Sequence, residues 1–358
     1  MGEISLISRK FNDCISLDIP LFRVIIENVS GYKMGGAKLN IYDVAREAGV
    51  SIATVSRVLN EKGNVSDKSM QKVNDALKKL NYSPSLLARA LTVKSTHTVG
   101  VLTIDIRDPY YAGIAYTIEQ EFYRRGYNMM LCNTGGDEDK KIEYLNALAQ
   151  KQADGVIIVG SSFGGGKADD FLKEYARKIP VVYINGYGEM EDVYFVICDD
   201  RRGIELMCEH LLSQGKKRLH YIQDDTTFSA FQKRQGFLNA LKRHGMEAGE
   251  DSITVTEMGI HSGYEAAGRI FQHPCDAVVC GEDITAAGVL NYINEHSIPA
   301  VVTGFNNSYL CEALSPPLSS VDNRVCEVAQ NAVKVLDALL SGEEAAAKTI
   351  ITPRLVLR

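Results

Sequence analysis

Residues 40–60 read NIYDVAREAGVSIATVSRVLN, and this stretch decides the nature of the chain's first domain. Asn40 stands where a helix N-cap belongs, with Asp43 three residues on to complete a capping box. Val44, Ala45 and Ala48 then share one face, and Gly49 follows, where a residue tolerant of positive φ ends a helix at little cost. Ser51 can cap a second helix whose inner face is Val55, Val58 and Leu59. The small side chain of Ala45 lets that helix cross closely and steeply. An ordinary helical hairpin would leave the outer face unexplained, because Ile52, Ala53, Ser56 and Arg57 have nothing local to bury. They suit insertion into a DNA major groove, where Arg57 can contact guanine in a bidentate manner.

Upstream, residues 1–37 show neither periodicity nor turn logic and are expected to be a disordered or mis-assigned extension, with Met34 as the natural start. Downstream, Ser66 or its neighbour caps a third helix. Its apolar stripe, Met70, Val73, Ala76, Leu77 and Leu80, is expected to close a small core over the first two helices. Pro84 stops that run, and Ser85 can cap a further short helix carrying Leu87 and Leu91. Such a helix is too short to stand alone in water and needs a partner copy or DNA to fold. The expected division is therefore an extension over 1–37, a helix-turn-helix domain over 38–82, a hinge helix or linker over 83–95 and an effector-binding and dimerisation body over 96–358.

Charge sharpens this division. The whole chain of 358 residues carries −6, which by itself argues against nucleic acid. Residues 38–95, however, hold ten Lys and Arg against five Asp and Glu, while 96–358 carry −11. A basic head on an acidic body is the footprint of a DNA-binding domain with a different task behind it. The eight cysteines form no C-x-x-C pair and read as reduced thiols, without zinc. No apolar run approaches a bilayer span and no signal peptide opens the chain, so a cytoplasmic protein without a membrane partner is expected.

From residue 98 strands and helices alternate. Strand-like runs fall at 99–104, 128–132, 154–160, 180–184, 194–197, 219–222, 253–257, 277–280 and 300–304, with a last one at 349–357. Helical segments lie at 112–125, 138–150, 168–178, 201–214, 230–244, 262–271, 283–296 and 323–341. This alternation predicts two parallel sheets covered on both faces, with a ligand cleft where the strand C-termini meet.

The head and the body together resemble the LacI/GalR family of bacterial transcription regulators. The resemblance rests on Tyr42-Asp43-Val44-Ala45, Ala48-Gly49-Val50-Ser51, Thr54-Val55-Ser56-Arg57-Val58-Leu59-Asn60, Asn81-Tyr82-Ser83-Pro84 and Ala88-Arg89-Ala90-Leu91. In the body it rests on Asp108-Pro109-Tyr110-Tyr111, Asp154-Gly155-Val156-Ile157, Pro180-Val181-Val182, Gly236-Phe237 and Pro316-Pro317-Leu318. It implies a small all-α helix-turn-helix head on an α/β periplasmic-binding-protein-like body of two parallel-sheet subdomains crossed three times by the chain. Helix 323–341 is expected to return to the first subdomain. The function implied is a ligand-responsive repressor, most simply of carbohydrate-utilisation genes, acting as a homodimer on a pseudo-palindromic double-stranded operator. Ile52, Ala53 and Arg57 are then expected to read bases, and Tyr42, Ser51, Thr54 and Ser56 to hold phosphates. Asn60 and Ala88 complete the expected DNA contacts, and Leu91 wedges into the minor groove. A dimer rather than a tetramer is expected, since no leucine heptad trails the last strand-like run.

By the same resemblance, the effector cleft is expected to be lined by Tyr110, Tyr111, Asn185, Lys233, Met258, Asp283 and Asn306. Four positions depart from the family's pattern: Lys233 stands for the usual arginine, Glu282-Asp283 for Asn-Asp, Asn306 for an aspartate and Met258 for a stacking aromatic. A sugar or sugar phosphate is the expected effector, with a nucleoside, a purine or a protein co-regulator as alternatives. A transport binding protein or an enzyme of the same α/β class is more remote. The glycine-rich run from Val159 to Lys167 lacks the spacing of a phosphate loop, and the histidines show no metal-binding spacing. No cofactor and no catalysis are expected.

Overall fold

Asn40 Oδ1 accepts hydrogen bonds from the Tyr42 and Asp43 amides at 2.9 and 3.3 Å, and Asp43 Oδ2 accepts one from the Asn40 amide at 3.0 Å. This reciprocal cap starts α1 (Ile41–Ala48), which ends on Gly49 at φ 62°. Helix α2 (Ile52–Leu59) starts on Ser51, whose Oγ accepts from the Thr54 amide at 3.2 Å. With α3 (Asp67–Lys79) the three enclose Val44, Val55 and Val73, each fully buried, with Ala45, Ala48 and Ala76 between them. Met70, expected in the inner stripe of α3, is 42% exposed instead. Asp67 and Lys68 in the same first turn are exposed as well, and the buried stripe begins at Val73.

The computed structural model describes residues 40–59, 65–80, 95–160, 166–186, 188, 190–246 and 252–358. The expectations placed on 1–37, Asn60, Ala88, Leu91 and most of the linker therefore lie outside the described residues. The chain divides into two compact units, Met1–Thr92 and Val93–Arg358.

In the second unit, β1 (Thr98–Thr103), α4 (Pro109–Arg124), β2 (Asn128–Asn133), α5 (Glu138–Gln150), β3 (Gly155–Val159), α6 (Lys167–Ala176), β4 (Val181–Ile184) and β5 (Val193–Cys198) build one sheet with its helices. Next, α7 (Asp200–Ser213), β6 (Leu219–Gln223), α8 (Phe228–Arg243), β7 (Ile253–Val255), α9 (Ile260–Ile270), β8 (Ala277–Cys280), α10 (Asp283–Glu295), β9 (Val301–Phe305), α11 (Leu310–Ala313) and β10 (Ser319–Asp322) build a second. The chain then returns through α12 (Val325–Leu340), β11 (Lys348–Ile351) and β12 (Arg354–Val356). The strand orders are β2-β1-β3-β4-β5-β11 and β7-β6-β8-β9-β10-β12, the same winding twice.

Three crossings join the halves, at 198–200, 322–325 and 351–354. Helix α12 buries Val328, Ala329, Ala332, Val333 and Leu336 against Ile114, Ile118 and Phe122 of α4, back on the first half. Each such large side chain, fully buried, contributes roughly 1.5–3 kcal/mol. The strands are nearly continuous apolar runs because helices cover both faces of each sheet.

Two sequence expectations change. Residues 349–357 are two strands rather than one: β11 pairs parallel with β5, and β12 pairs antiparallel with β10. The C-terminal ends of both sheets meet at the same gap, so a chain leaving one sheet there must enter the other from its C-terminal end and run backwards. Strand β10, Ser-Ser-Val-Asp, was not expected at all. Its Ser320 is fully buried, and its Oγ donates to Asp283 at 2.6 Å, a partner that no hydropathy pattern reveals. Helix α4 also begins earlier than expected, at Pro109, on the Asp108 cap. Among the described residues no helix is long and apolar enough to cross a membrane.

Candidate functional site

On the head, Ile52, Ala53 and Arg57 lie on the exposed face of α2, with Ser51 exposed at its cap and Thr54 and Ser56 half-buried on its flank. Tyr42, on the first turn of α1, is 62% exposed. Among the described residues no ion pair holds Arg57. The packing of Val55 inward fixes the rotation of α2 and hence this outward set.

In the body, a cavity of about 840 Å³ opens between the strand ends of the two halves. Tyr110, Tyr111, Asn185, Lys233, Met258, Asp283 and Asn306 all line it. Their chemistry differs from what the sequence suggests. Asn185 follows β4 at φ 52°, a backbone region that asparagine tolerates better than most residues. Its Oδ1 accepts from the Cys198 amide at 2.9 Å, and its Nδ2 donates to the Tyr110 hydroxyl at 2.7 Å. Burial, followed by the charges of Asp108, Asp225 and Glu282, pushes the Tyr111 hydroxyl above its usual range, so it stays protonated.

Lys233 lies on α8, which crosses the start of α7 closely. A Cβ at Gly236 would sit 2.3 Å from the Arg201 carbonyl oxygen, which gives the Gly236-Phe237 pair its physical reason. The Lys233 ammonium donates to the Gly281 carbonyl at 2.9 Å and to Glu282 Oε1 at 2.8 Å, and lies 4.1 Å over the Phe305 ring. Burial works against the charge, but Glu282, Asp200 and Asp224 outweigh it and hold the ammonium above the ordinary lysine range. Lys233 is therefore a cation tied to its own wall through two of its three N–H donors.

Asp283 is likewise spent. Its carboxylate accepts from the Ser320 hydroxyl and from the Ser308 amide at 2.7 Å, and it is 3% exposed. The carboxylate that meets the cavity's polar relay is Glu282, which the sequence marks only as a departure from pattern. It accepts from Lys233 and from Asn306 Nδ2. Asn306 Oδ1 in turn accepts from Asn323 Nδ2 at 2.6 Å.

Asp108, Asp200, Asp225, Ser229 and Asn323 also line the cavity and were missed as site residues. The available signal was their position. Each lies between a strand end and the first turn of the following helix, the segments that gather at the cleft.

Residues 40–85 match the family model for bacterial regulatory proteins of the lacI family, and residues 96–355 match that for periplasmic binding proteins and the sugar-binding domain of the LacI family. An HTH-type transcriptional regulator of Lachnoclostridium phytofermentans is 34% identical over 328 residues, covering 89% of this chain and 98% of the relative. The HTH-type transcriptional repressor PurR of Mannheimia succiniciproducens is 33% identical over 326 residues, covering 89% and 97%. Among solved structures, the Lac repressor dimer bound to operator and the anti-inducer ONPF shares the fold. Its TM-score is 0.82 at 22% identity, over 90% of this chain and 98% of that one.

Proposed function

The chain belongs to the LacI family of bacterial transcription regulators, and from that premise we propose that it is a cytoplasmic, dimeric repressor switched by a small polyhydroxylated effector. It is a DNA-binding regulator rather than an enzyme, as the relatives named above are. The observation that carries the effector reading is the cavity at the strand ends, where all seven expected side chains meet. A carbohydrate is the leading class; the PurR relative keeps a purine or nucleoside in view as the second.

In this reading two heads sit on the half-sites of a pseudo-palindromic operator. Arg57, Ile52 and Ala53 read bases, while Tyr42, Ser51, Thr54 and Ser56 position the head on phosphates. Asn60, Ala88 and Leu91, outside the described residues, complete the contact, with the linker folding on DNA. The effector acts by binding the open and closed cleft with different affinity, because equal affinity would shift nothing.

In vitro selection of operator DNA, repeated with sugars, sugar phosphates and nucleosides, tests this function. A palindromic consensus whose occupancy one of these ligands changes is the expected result. Selection that returns no consensus overturns it. Arg57→Ala should cost about 1–3 kcal/mol of operator discrimination in a gel shift while salt-sensitive non-specific binding remains. Unchanged preference would remove Arg57 from the reading set.

A further inference from the structure

Helices α4, α7, α8 and α10 all point their N-termini at the cavity, and a free helix N-terminus attracts anions. Here a carboxylate of the chain itself stands at or beside each of them, although only Asp108 among the cavity acids caps its helix through the side chain. Asp108 caps α4 through the Tyr110 amide at 2.8 Å, and Asp200 opens α7 with the Ser229 hydroxyl on its carboxylate. Asp225 accepts from the Thr227 amide and hydroxyl at the head of α8, and Glu282 precedes α10. The two lining cations offer no compensation: Lys233 is bound to Glu282, and Arg107 is bound to Asp105 at 2.6 Å.

A second, independent feature points the same way. The Asn306 amide donates its NH₂ to Glu282 and turns its oxygen towards Asn323. Asn323 must then spend its NH₂ on Asn306. Its Oδ1 remains without a partner, on a side chain 2% exposed that lines the cavity. A buried acceptor without a donor is costly, and a ligand donor relieves it.

Resting on the reading of this cavity as the effector site, we propose that its effector is a hydrogen-bond donor without an anionic group. It is an uncharged or amine-bearing polyol or nucleoside, and the phosphorylated counterpart is rejected. A phosphate would meet carboxylates beside each of these helix termini and no unpaired lining cation, whereas hydroxyl or ammonium donors find acceptors. Burial raises the Asp108 and Asp200 carboxyls, and a bound ammonium would restore their ionised form.

The test reads thermal unfolding and calorimetric titration of the full chain without DNA. The probes are matched sets of a sugar, its amino analogue and its phosphate ester, a nucleoside and its monophosphate, and inorganic phosphate alone. At least one unphosphorylated probe should stabilise saturably and bind about ten-fold or more tightly than its phosphate ester, with inorganic phosphate silent at millimolar concentration. A phosphate ester that binds as well as its parent overturns the proposal, and so does silence across the unphosphorylated set. Asp108→Asn with Asp225→Asn keeps the α4 cap and an acceptor in the turn before α8 while removing both charges, and should narrow the discrimination towards parity. Unchanged discrimination in that variant would remove these carboxylates as its cause and overturn the proposal. Because no DNA is present, failure of operator binding would sink the regulator reading and leave this one standing.

Discussion

The two halves of the body share one winding, yet they bring different chemistry to the cavity between them. The first half contributes Tyr110, Tyr111 and Asn185, with Asn185 bonded both to Tyr110 and to the Cys198 amide, besides the Asp108 carboxylate and the Asp105–Arg107 ion pair. The second contributes a buried ionic relay, Lys233–Glu282–Asn306–Asn323, with Asp283 locked to Ser308 and Ser320. A common fold therefore carries separate local contacts on one wall and a linked, buried ionic relay on the other. Ligand selection should be concentrated on the second half, and so should the sensitivity to mutation.

Breaking the relay should have the largest effect. Lys233→Ala strands Glu282 in the interior and is expected to cost about 3–5 kcal/mol in urea unfolding, whereas the double change Lys233→Met with Glu282→Gln should cost much less. Equal losses would mean that packing, and not the ion pair, holds this wall. On the first half, Asn185→Ala should cost roughly 1–3 kcal/mol, because the buried Cys198 amide loses its acceptor and alanine is strained at φ 52°. Asn185→Gly keeps the backbone and loses only the amide, so its smaller loss separates the two contributions.

The gentlest probe is pH. Burial raises the Asp224 carboxyl, beside the relay, to about 6 from an ordinary 3.8. The folded chain then holds a proton that the unfolded chain has already released. Stability is expected to fall as pH rises from about 4 to about 6, with the full cost present above that. Asp224→Asn should flatten this slope in urea titrations across that window. A slope that persists unchanged would assign it to another carboxyl.

Much of this was legible in the sequence, for reasons that differ by region. The head is written in neighbouring residues: Asn40 with Asp43, Gly49, and Ser51 with Thr54 lie within four positions of each other, so their geometry follows from spacing. The apolar strands were legible because burial on both faces leaves continuous hydrophobic runs. Met70 misled because periodicity marks a face without showing whether anything covers it. Strand β10 escaped because its buried hydroxyl is satisfied by Asp283, 37 positions earlier in the chain.

By itself the sequence determined most of the element types, the caps of α1 and α2, the family and the set of strand ends that meet at the cavity, since all of these rest on local spacing or local composition. Only the tertiary structure decided what the cavity side chains are free to do. Lys233 and Asp283 stand among the expected cavity residues, and the structure ties them to Glu282 and Ser320. Asn323, which no motif marks, is left with the open acceptor. Hydrogen-bond valence is shared among residues far apart in the chain, and which groups remain unspent is settled only once all their partners are in place.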